Sequence, residues 1–360
     1  MFLADEKFFF TCASITRYFS LLLAYYSLQS MRNYFYTFLF CCTLVACKKT
    51  SNQPTPPVTG WRAVAPLPGN RTFATSFTLN NKGYICGGWL NASQPDGTVD
   101  NDKNMYVYDP STNKWATKTG LQADYTSADE RKYPFSFIIN NTAYAGGGVT
   151  LSGGAKNDIF KYDPVNDQWT ELLPIDSRFH FDQAVATDYN NKAYIFNITS
   201  GGAVAWVYDP VSNQVAEAGF DYNAPPIFAN IWVGSTGSQL LYGSYTSYAY
   251  FMGINTVTNE RIPFQAVEYY PGLPDKPVAT PKGIFYKNSM YVSFGDMGHL
   301  YRYNFTAQKW QIVISQDLGV TEGATSFLIG SKFYVAGGVN ADLSLINSVY
   351  VIDLDAYPEN

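Results

Sequence analysis

Histidine and cysteine, two side chains that often carry metal or nucleophilic chemistry, are scarce in this chain of 360 residues, which has two histidines and five cysteines. The histidines, His180 and His299, lie in distant parts of the sequence. No Ser/His/Asp arrangement, phosphate-binding loop or Cys-x-x-Cys pair is present. These absences argue against a metal centre, a triad-type hydrolase and nucleotide binding. The sequence therefore predicts neither a metal nor another cofactor.

Charged residues are also few, at 15% of the chain, and the formal net charge is −5 with a sequence pI near 5.1. Because nucleic-acid-binding domains generally display a basic face, we expect no nucleic-acid partner. Charge runs that favour helices are rare, whereas the chain contains 29 tyrosines and 25 phenylalanines. Aromatic residues are enriched in β-strands, so the composition predicts an all-β protein.

The N-terminal part differs from the rest of the chain, and its residues 31–47 read MRNYFYTFLFCCTLVAC. Arg32 supplies a positive charge ahead of an apolar run at residues 34–44, which is too short to cross a membrane comfortably and is typical of a signal peptide. The run ends in Leu-Val-Ala-Cys, which resembles a bacterial lipobox, and that resemblance implies lipid attachment to Cys47. We therefore predict a lipoprotein signal peptide at residues 31–47 and a polar tether at 48–59. The predicted location is the bacterial cell envelope, at the outer membrane, with the lipid anchor as the membrane contact.

Residues 1–30 precede this signal and contain apolar stretches that could form a second membrane segment. The interpretation that we favour is that translation starts at Met31 and that residues 1–30 are an upstream extension outside the protein. Three of the five cysteines then lie before the cleavage point. Only Cys86 remains beside the lipidated cysteine, and its apolar neighbours indicate a buried residue that acts as a small hydrophobe.

The rest of the chain repeats a unit that is clearest at residues 144–169, which read YAGGGVTLSGGAKNDIFKYDPVNDQW. An apolar run ends in glycines, a polar loop leads to an alternating run, and Asp163-Pro164 begins a turn that ends near Trp169. Glycine after a strand permits close backbone approach, and Asp-Pro favours a tight turn. Related units begin at residues 84–88, 193–197, 240–243, 291–295 and 334–338.

An apolar run and a short turn precede the glycine strand of each unit, as at Asn80-Asn81 and Asn140-Asn141. Asparagine and glycine tolerate the positive φ that tight hairpins require. Each unit therefore has four predicted strands, which we call a, b, c and d in chain order. Four-stranded sheets repeated around an axis form a β-propeller, which is the predicted fold.

The double glycine, the tyrosine of strand c and the tryptophan after it resemble the signature of the kelch family, and the spacing is close to the kelch period of about 50 residues. The resemblance covers residues 60–360 and implies a six-bladed kelch-like β-propeller. The last unit lacks a strand d, whereas Trp61 and the residues after it look like a spare one. We therefore predict that this N-terminal strand joins the last blade and closes the ring.

Strand direction alternates within a unit, so the a–b and c–d turns lie on one rim and the b–c and d–a loops on the other. We call these the tight-turn rim and the loop rim. Because binding residues concentrate on longer loops of a rigid scaffold, we predict that the loop rim is the working surface. The predicted ligand contacts there are Arg71, Arg131, Arg178, Glu130, Glu322, Trp89 and Tyr133.

The three arginines allow two interpretations. Together they could present planar guanidinium groups to a carboxylate or sulfate. Alternatively, each could satisfy loop carbonyls and pack its stem against the next blade. Carboxylates on the same rim could form an acid–base pair, although surface charge is the simpler interpretation.

The function that we expect is non-catalytic recognition of a glycan or a protein at the cell envelope. A second interpretation is an enzyme similar to the kelch-type sialic acid mutarotases, or N-acetylneuraminate epimerases. In that case the arginines would hold the acidic sugar and Glu130 or Glu322 would move protons. A third is a structural subunit of an envelope assembly. A copper site like that of kelch-type oxidases would require Cys86 to leave its strand core and the two histidines to meet, so we do not expect one.

Overall fold

Short antiparallel strands joined by tight turns account for nearly all regular structure in the described part of the chain. The computed structural model describes residues 60–89, 103–121, 131–150, 153–172, 179, 181–199, 202–219, 231–235, 240–245, 249–254, 261–263, 283–292, 299–307, 309–316, 318–320 and 322–358. The predicted leader, tether and lipidation site Cys47 lie outside these residues, as do Glu130 and Arg178.

Within the described residues the strands form six four-stranded antiparallel sheets. Sheet 1 contains β2 (Thr75–Leu79), β3 (Lys82–Cys86), β4 (Met105–Asp109) and β5 (Lys114–Lys118). Sheet 2 contains β7 (Phe135–Ile139), β8 (Thr142–Gly146), β10 (Ile159–Asp163) and β11 (Gln168–Glu171). Sheet 3 contains β12 (Val185–Tyr189), β13 (Lys192–Thr199), β14 (Gly202–Asp209) and β15 (Gln214–Glu217).

The other three sheets follow the same order. Sheet 4 contains β16 (Ile231–Ser235), β17 (Leu240–Tyr245), β18 (Ala249–Ile254) and β19 (Arg261–Pro263). Sheet 5 contains β20 (Gly283–Tyr286), β21 (Ser289–Val292), β22 (His299–Asn304) and β23 (Lys309–Ser315). Sheet 6 contains β24 (Thr325–Ile329), β25 (Lys332–Ala336), β26 (Val349–Asp353) and β1 (Arg62–Ala63). A separate pair, β6 (Arg131–Lys132) and β9 (Val149–Thr150), joins two loops of sheet 2 and was not predicted.

The first strand of each sheet faces a shared cavity. Residues of β2, β7, β12, β16, β20 and β24 line this cavity, which has a volume of about 400 Å³. Strands a are therefore innermost and strands d outermost, which is the arrangement of an all-β propeller.

The a–b turns adopt the left-handed backbone that the sequence predicts. Asn80 and Asn81 have φ of 51° and 57°, and Asn140 and Asn141 have 49° and 56°. The Asn141 side-chain amide donates to the Asn80 carbonyl oxygen at 3.0 Å, so the turns of sheets 1 and 2 are joined on this rim.

Aromatic stacking inside the sheets recurs with the repeat. The third residue of strand a stacks on the tyrosine of strand b in three sheets: Phe77 on Tyr84, Phe137 on Tyr144 and Phe327 on Tyr334, with ring centroids 4.9–5.1 Å apart. Offset stacking of this kind adds to the free energy gained by burying the rings. These residues belong to hydrophobic clusters that extend from one sheet to the next.

Tryptophans of the outer strands tie neighbouring sheets together. The indole N–H of Trp115 donates to the Ala65 carbonyl at 2.8 Å, and that of Trp169 donates to the Thr119 carbonyl at 3.0 Å. In both pairs the acceptor lies four residues after the tryptophan of the preceding unit, Trp61 or Trp115. The spare N-terminal segment therefore makes the contact of a strand d, and its β1 pairs with β26 through Arg62 opposite Val351 and Ala63 opposite Tyr350.

The C-terminal segment runs along the tight-turn rim after β26. A short 3-10 helix, Leu354–Ala356, begins where the Leu354 N–H donates to the carbonyl of Ser331 in an a–b turn. Asp355 bonds to Tyr286 and Lys287 beside the a–b turn of sheet 5. No helix within the described ranges is long and apolar enough to cross a membrane.

Candidate functional site

The loop rim contains a group of side chains from sheets 6, 1 and 2, which we call the mouth cluster: Phe73, Trp89, Lys132, Tyr133 and Glu322. Each except Trp89 lies in a lead-in segment, the two or three residues before an inner strand. The lead-in segments are equivalent in the three sheets, because Phe73, Tyr133 and Gly323 each stand two residues before the first residue of β2, β7 or β24. Three of the predicted contacts, Trp89, Tyr133 and Glu322, are thus on neighbouring segments of one rim.

The double glycines explain why the lead-in segments lie where they do. A Cβ on Gly88 would come within 2.7 Å of the Thr72 carbonyl oxygen, and one on Gly148 within 2.4 Å of the Lys132 carbonyl oxygen. A Cβ on Gly338 would lie 2.7 Å from the Glu322 carbonyl oxygen. The second glycine after strand b therefore lets the lead-in segment pack directly against its own sheet.

Hydrogen bonds connect the lead-in segments across the sheets. The Phe73 N–H donates to the Gly323 carbonyl at 2.7 Å, and the Tyr133 N–H donates to the Phe73 carbonyl at 3.0 Å. All three residues have positive φ: 70° at Gly323, 54° at Phe73 and 57° at Tyr133. The left-handed backbone is therefore a requirement of this position, and two of the three occupants are aromatic residues rather than glycine.

The two aromatic side chains pack on each other. The Phe73 and Tyr133 rings have centroids 4.7 Å apart and are tilted by 45°. Phe73 also covers Gly323, where a Cβ would approach the Phe73 ring to 3.0 Å. Both rings are half-buried, so part of each face remains accessible at the rim.

Polar groups lie on both sides of this pair. The ammonium group of Lys132 lies 3.3 Å from the centroid of the Trp89 ring, a cation–π contact, and burial lowers the pKa of Lys132. The pKa of Tyr133 is raised by burial and by the negative charge of Glu322. Within the described residues, the Thr72 hydroxyl and the Trp89 indole N–H are buried without a hydrogen-bond partner.

The two described arginines are buried in the scaffold beneath the rim. Arg71 is 2% exposed, and its Nη1 donates to the carbonyls of Gly87 at 3.1 Å and Asn104 at 2.8 Å. Its guanidinium also lies 4.8 Å from the centre of the Tyr106 ring. These contacts correspond to the alternative in which the arginine satisfies loop carbonyls.

Arg131 occupies the equivalent position of sheet 2 and is 3% exposed. Its Nη1 and Nη2 donate to both carboxylate oxygens of Asp158 at 2.7 and 3.1 Å, and Nη1 also donates to the Gly147 carbonyl at 3.1 Å. Asp158 in turn accepts from the Gly147 N–H. A ligand carboxylate would have to displace these partners to reach Arg131, and Arg178 lies outside the described residues.

The cavity along the axis begins beside the mouth cluster, since its lining includes Pro134, the residue after Tyr133, and Thr75. Its lining contains no charged side chain. Several hydroxyls along it bond across sheets: Ser76 to the Ser326 carbonyl at 2.6 Å, Ser136 to the Ser76 carbonyl at 2.9 Å, and Thr78 to the Leu328 carbonyl at 2.7 Å. The cavity is therefore a neutral surface of hydroxyl and apolar groups.

In the described part of the chain, no group of three or more His, Cys, Asp or Glu side chains is placed so that it could hold a metal ion. Cys86 is fully buried in β3, as predicted. Sequence reasoning missed Phe73 and Lys132 as site residues. The available signal was the parallel between Arg71-Thr72-Phe73 and Arg131-Lys132-Tyr133, which places an aromatic residue two positions after each arginine.

Comparisons with known proteins identify a family motif and a similar fold. The kelch motif family matches residues 70–122. Kelch repeat and BTB domain-containing protein 12 from Homo sapiens is 32% identical over 127 residues, which are 32% of this chain and 19% of that protein. N-acetylneuraminate epimerase from Yersinia enterocolitica is 28% identical over 141 residues, which are 31% of this chain and 36% of that protein. The chain thus spans well under half the length of these curated relatives.

Among solved structures, YjhT is similar with a TM-score of 0.56 and 13% sequence identity, over 81% of this chain and 97% of that one. At this identity the likeness concerns the fold alone.

Proposed function

We propose that the chain, in which residues 70–122 match the kelch motif, is a kelch-repeat β-propeller and a recognition module whose loop rim holds a glycan or protein ligand. The observation that carries the proposal is the mouth cluster, in which accessible aromatic rings lie beside Lys132 and Glu322 on a hydrogen-bonded backbone frame. Aromatic rings next to a few fixed polar groups are the usual composition of a binding site. On the opposite rim, the a–b turns of sheets 1 and 2 are joined by the bond from Asn141 to Asn80.

We propose further that the six sheets are six blades of one ring, which β1 closes as the outer strand of sheet 6. The β1–β26 pairing supports closure, and so does the contact of Trp115 with Ala65, which repeats between Trp169 and Thr119. The cavity lined by all six inner strands supports the ring.

We propose an envelope anchor through Cys47, which is supported by the lipobox-like run Leu-Val-Ala-Cys that ends at this residue. Metabolic labelling with a fatty acid tests the anchor: wild type should be labelled and Cys47→Ala should not, and equal labelling would remove the anchor from the proposal.

The alternative is an isomerase acting on an acidic sugar, which the partial similarity to N-acetylneuraminate epimerase favours. That function needs arginines that can reach a carboxylate. Arg71 and Arg131 are buried and bonded to carbonyls or to Asp158, so an acidic sugar would have to recruit them by displacing those partners. We therefore place recognition ahead of isomerisation.

The test compares the two rims. Full-length wild type, Trp89→Ala on the loop rim and Asn141→Gly on the tight-turn rim are applied to a glycan array and to solubilised envelope proteins, after each variant is shown to be folded. Asn141→Gly is a matched control, because glycine keeps the left-handed turn. Binding that weakens only in Trp89→Ala is the expected result. Loss only in Asn141→Gly would move the binding surface to the other rim.

A further inference from the structure

We propose that the mouth cluster is a binding site for a neutral sugar ring, which stacks on Phe73 and Tyr133 and donates hydroxyl hydrogen bonds to Glu322. This inference rests on the proposed recognition function and names the class of ligand. It assigns the ring contacts to two residues in equivalent positions of neighbouring sheets, one of which, Phe73, sequence reasoning did not single out.

The first argument is conformational. The hydrogen bonds from Phe73 to Gly323 and from Tyr133 to Phe73 fix a left-handed backbone at this position. Glycine adopts that backbone without steric cost, as it does at Gly323, whereas a bulky side chain there is strained. Strained residues of this kind cluster at ligand-binding positions, where the side chain and not the backbone accounts for the residue type.

The second argument is geometric. The two rings are in contact at 4.7 Å, are half-buried, and sit where the neutral axial cavity begins at Pro134 and Thr75. Adjacent aromatic faces offer an apolar surface of the size of a sugar ring. The C–H groups on one face of such a ring can pack against them while its hydroxyls point outward to polar groups.

The third argument is electrostatic. The cluster contains one carboxylate, Glu322, and one ammonium group, that of Lys132, while Arg131 is neutralised by Asp158. A site for an anion or a cation would show an excess of the opposite charge. Near-balance of charge among the described residues of the cluster, beside aromatic rings and a hydroxyl-lined cavity, suits a neutral ligand rich in hydroxyls.

The experiment is saturation-transfer NMR with the full chain. The probes are three neutral disaccharides (lactose, cellobiose and N,N′-diacetylchitobiose), together with N-acetylneuraminate as an anion and choline as a cation. We expect saturation transfer to at least one neutral disaccharide, with an affinity that does not change between 50 mM and 500 mM salt, because no charge is neutralised.

Variants locate the site. Phe73→Gly and Tyr133→Gly should each weaken binding of that disaccharide at least about fivefold. If a glycine variant does not fold, Phe73→Asn or Tyr133→Asn replaces it, because asparagine also tolerates positive φ. Glu322→Gln should weaken it only about two- to threefold, since an amide oxygen still accepts hydroxyl hydrogen bonds. Asn80→Gly and Asn141→Gly on the tight-turn rim should bind as wild type does.

The outcomes separate this inference from the proposed function. Unchanged disaccharide binding in both Phe73 and Tyr133 variants would overturn the site. Salt-sensitive binding of choline or N-acetylneuraminate, with no neutral disaccharide bound, would overturn the ligand class and leave the loop rim as a recognition surface. If no sugar binds and wild type, but not Trp89→Ala, captures an envelope protein, the ligand class is also overturned and the loop rim remains a recognition surface.

Discussion

The two rims of the propeller require the same unusual backbone but fill it with different residues. On the tight-turn rim, the a–b turns of sheets 1 to 3 hold asparagines in left-handed positions with φ of 49–58°: Asn80, Asn81, Asn140, Asn141, Asn190 and Asn191. The a–b turns of sheets 5 and 6 have Lys287 and Gly330 at 52° and 59°. On the loop rim, the left-handed positions ahead of the inner strands have φ of 54–70° and are held by Phe73, Tyr133 and Gly323. Asparagine and glycine suit this backbone, whereas phenylalanine and tyrosine do not.

The difference concerns what the side chain at a left-handed position does. Asparagine on the tight-turn rim tolerates the backbone of the hairpin, and Asn141 also bonds to Asn80 of the neighbouring turn. On the loop rim, glycine at position 323 completes the same backbone without a side chain, so Phe73 and Tyr133 are not required by the backbone. On the proposed function, we expect that these rings contact a ligand.

The largest expected effect concerns the buried pair that supports the loop rim. Asp158→Ala leaves the Arg131 guanidinium buried without its carboxylate and should lower the free energy of unfolding by about 3–5 kcal/mol. Urea unfolding measures the loss, with Lys192→Ala as a control, because the Lys192–Asp209 pair is partly exposed and should contribute little. Similar small losses of unfolding free energy in Asp158→Ala and Lys192→Ala would mean that the Arg131–Asp158 pair does not stabilise the loop rim.

A smaller effect should distinguish the left-handed glycines of the two rims. Gly323→Ala puts a Cβ 1.9 Å from the Thr72 hydroxyl at φ 70°, whereas Gly330→Ala on the tight-turn rim meets nothing within 4 Å at φ 59°. We expect a loss of unfolding free energy above about 2 kcal/mol for Gly323→Ala, since overpacking adds to strain, and about 1 kcal/mol for Gly330→Ala. Equal losses in thermal or urea unfolding would contradict the close packing of the lead-in segments.

The repeating aromatic core could be predicted from the sequence, because strands, tight turns and double glycines are encoded within a few residues of one another. The roles of Arg71 and Arg131 could not, because their partners Asn104 and Asp158 lie 33 and 27 residues further along the chain. The alternation of strands predicted that Trp89, Tyr133 and Glu322 share one rim, and in the structure they do. The left-handed backbone of Phe73 could not be predicted, because it depends on a hydrogen bond to Gly323, some 250 residues away.

Alkaline pH should destabilise the core that joins the rims. Burial is the main cause that raises the pKa of Tyr208 and of Tyr334 to about 12, against about 10 in an unfolded chain. A raised pKa in the folded state means that the stabilisation is complete below pH about 10 and is lost as the pH rises toward about 12. The urea midpoint should therefore fall between pH 10 and 12, and a midpoint that stays level over this interval would contradict the burial of these hydroxyls.

A still smaller effect tests the proximity of Glu322 to Tyr133 on the loop rim. Glu322→Gln removes a negative charge and should lower the pKa of Tyr133 toward its ordinary value, although burial keeps it raised. NMR titration of the tyrosine ring carbons measures it. Tyr144 is the internal control, because its pKa is raised by burial alone and should not move. If the pKa of Tyr133 is the same in wild type and in Glu322→Gln, Glu322 does not lie close enough to Tyr133 to belong to the mouth cluster.

The most direct test of the account is the free energy of unfolding of the double variant Phe73→Gly/Tyr133→Gly. Glycine relieves about 1–2 kcal/mol of left-handed strain at each position, which offsets most of the packing lost with a half-buried ring. We predict a net change below about 1 kcal/mol, whereas Phe137→Ala, which removes a ring stacked in the core of sheet 2, should cost about 3–5 kcal/mol. A loss in the double variant as large as that of Phe137→Ala would show that Phe73 and Tyr133 serve the fold, and would contradict the claim that the loop rim presents them to a ligand.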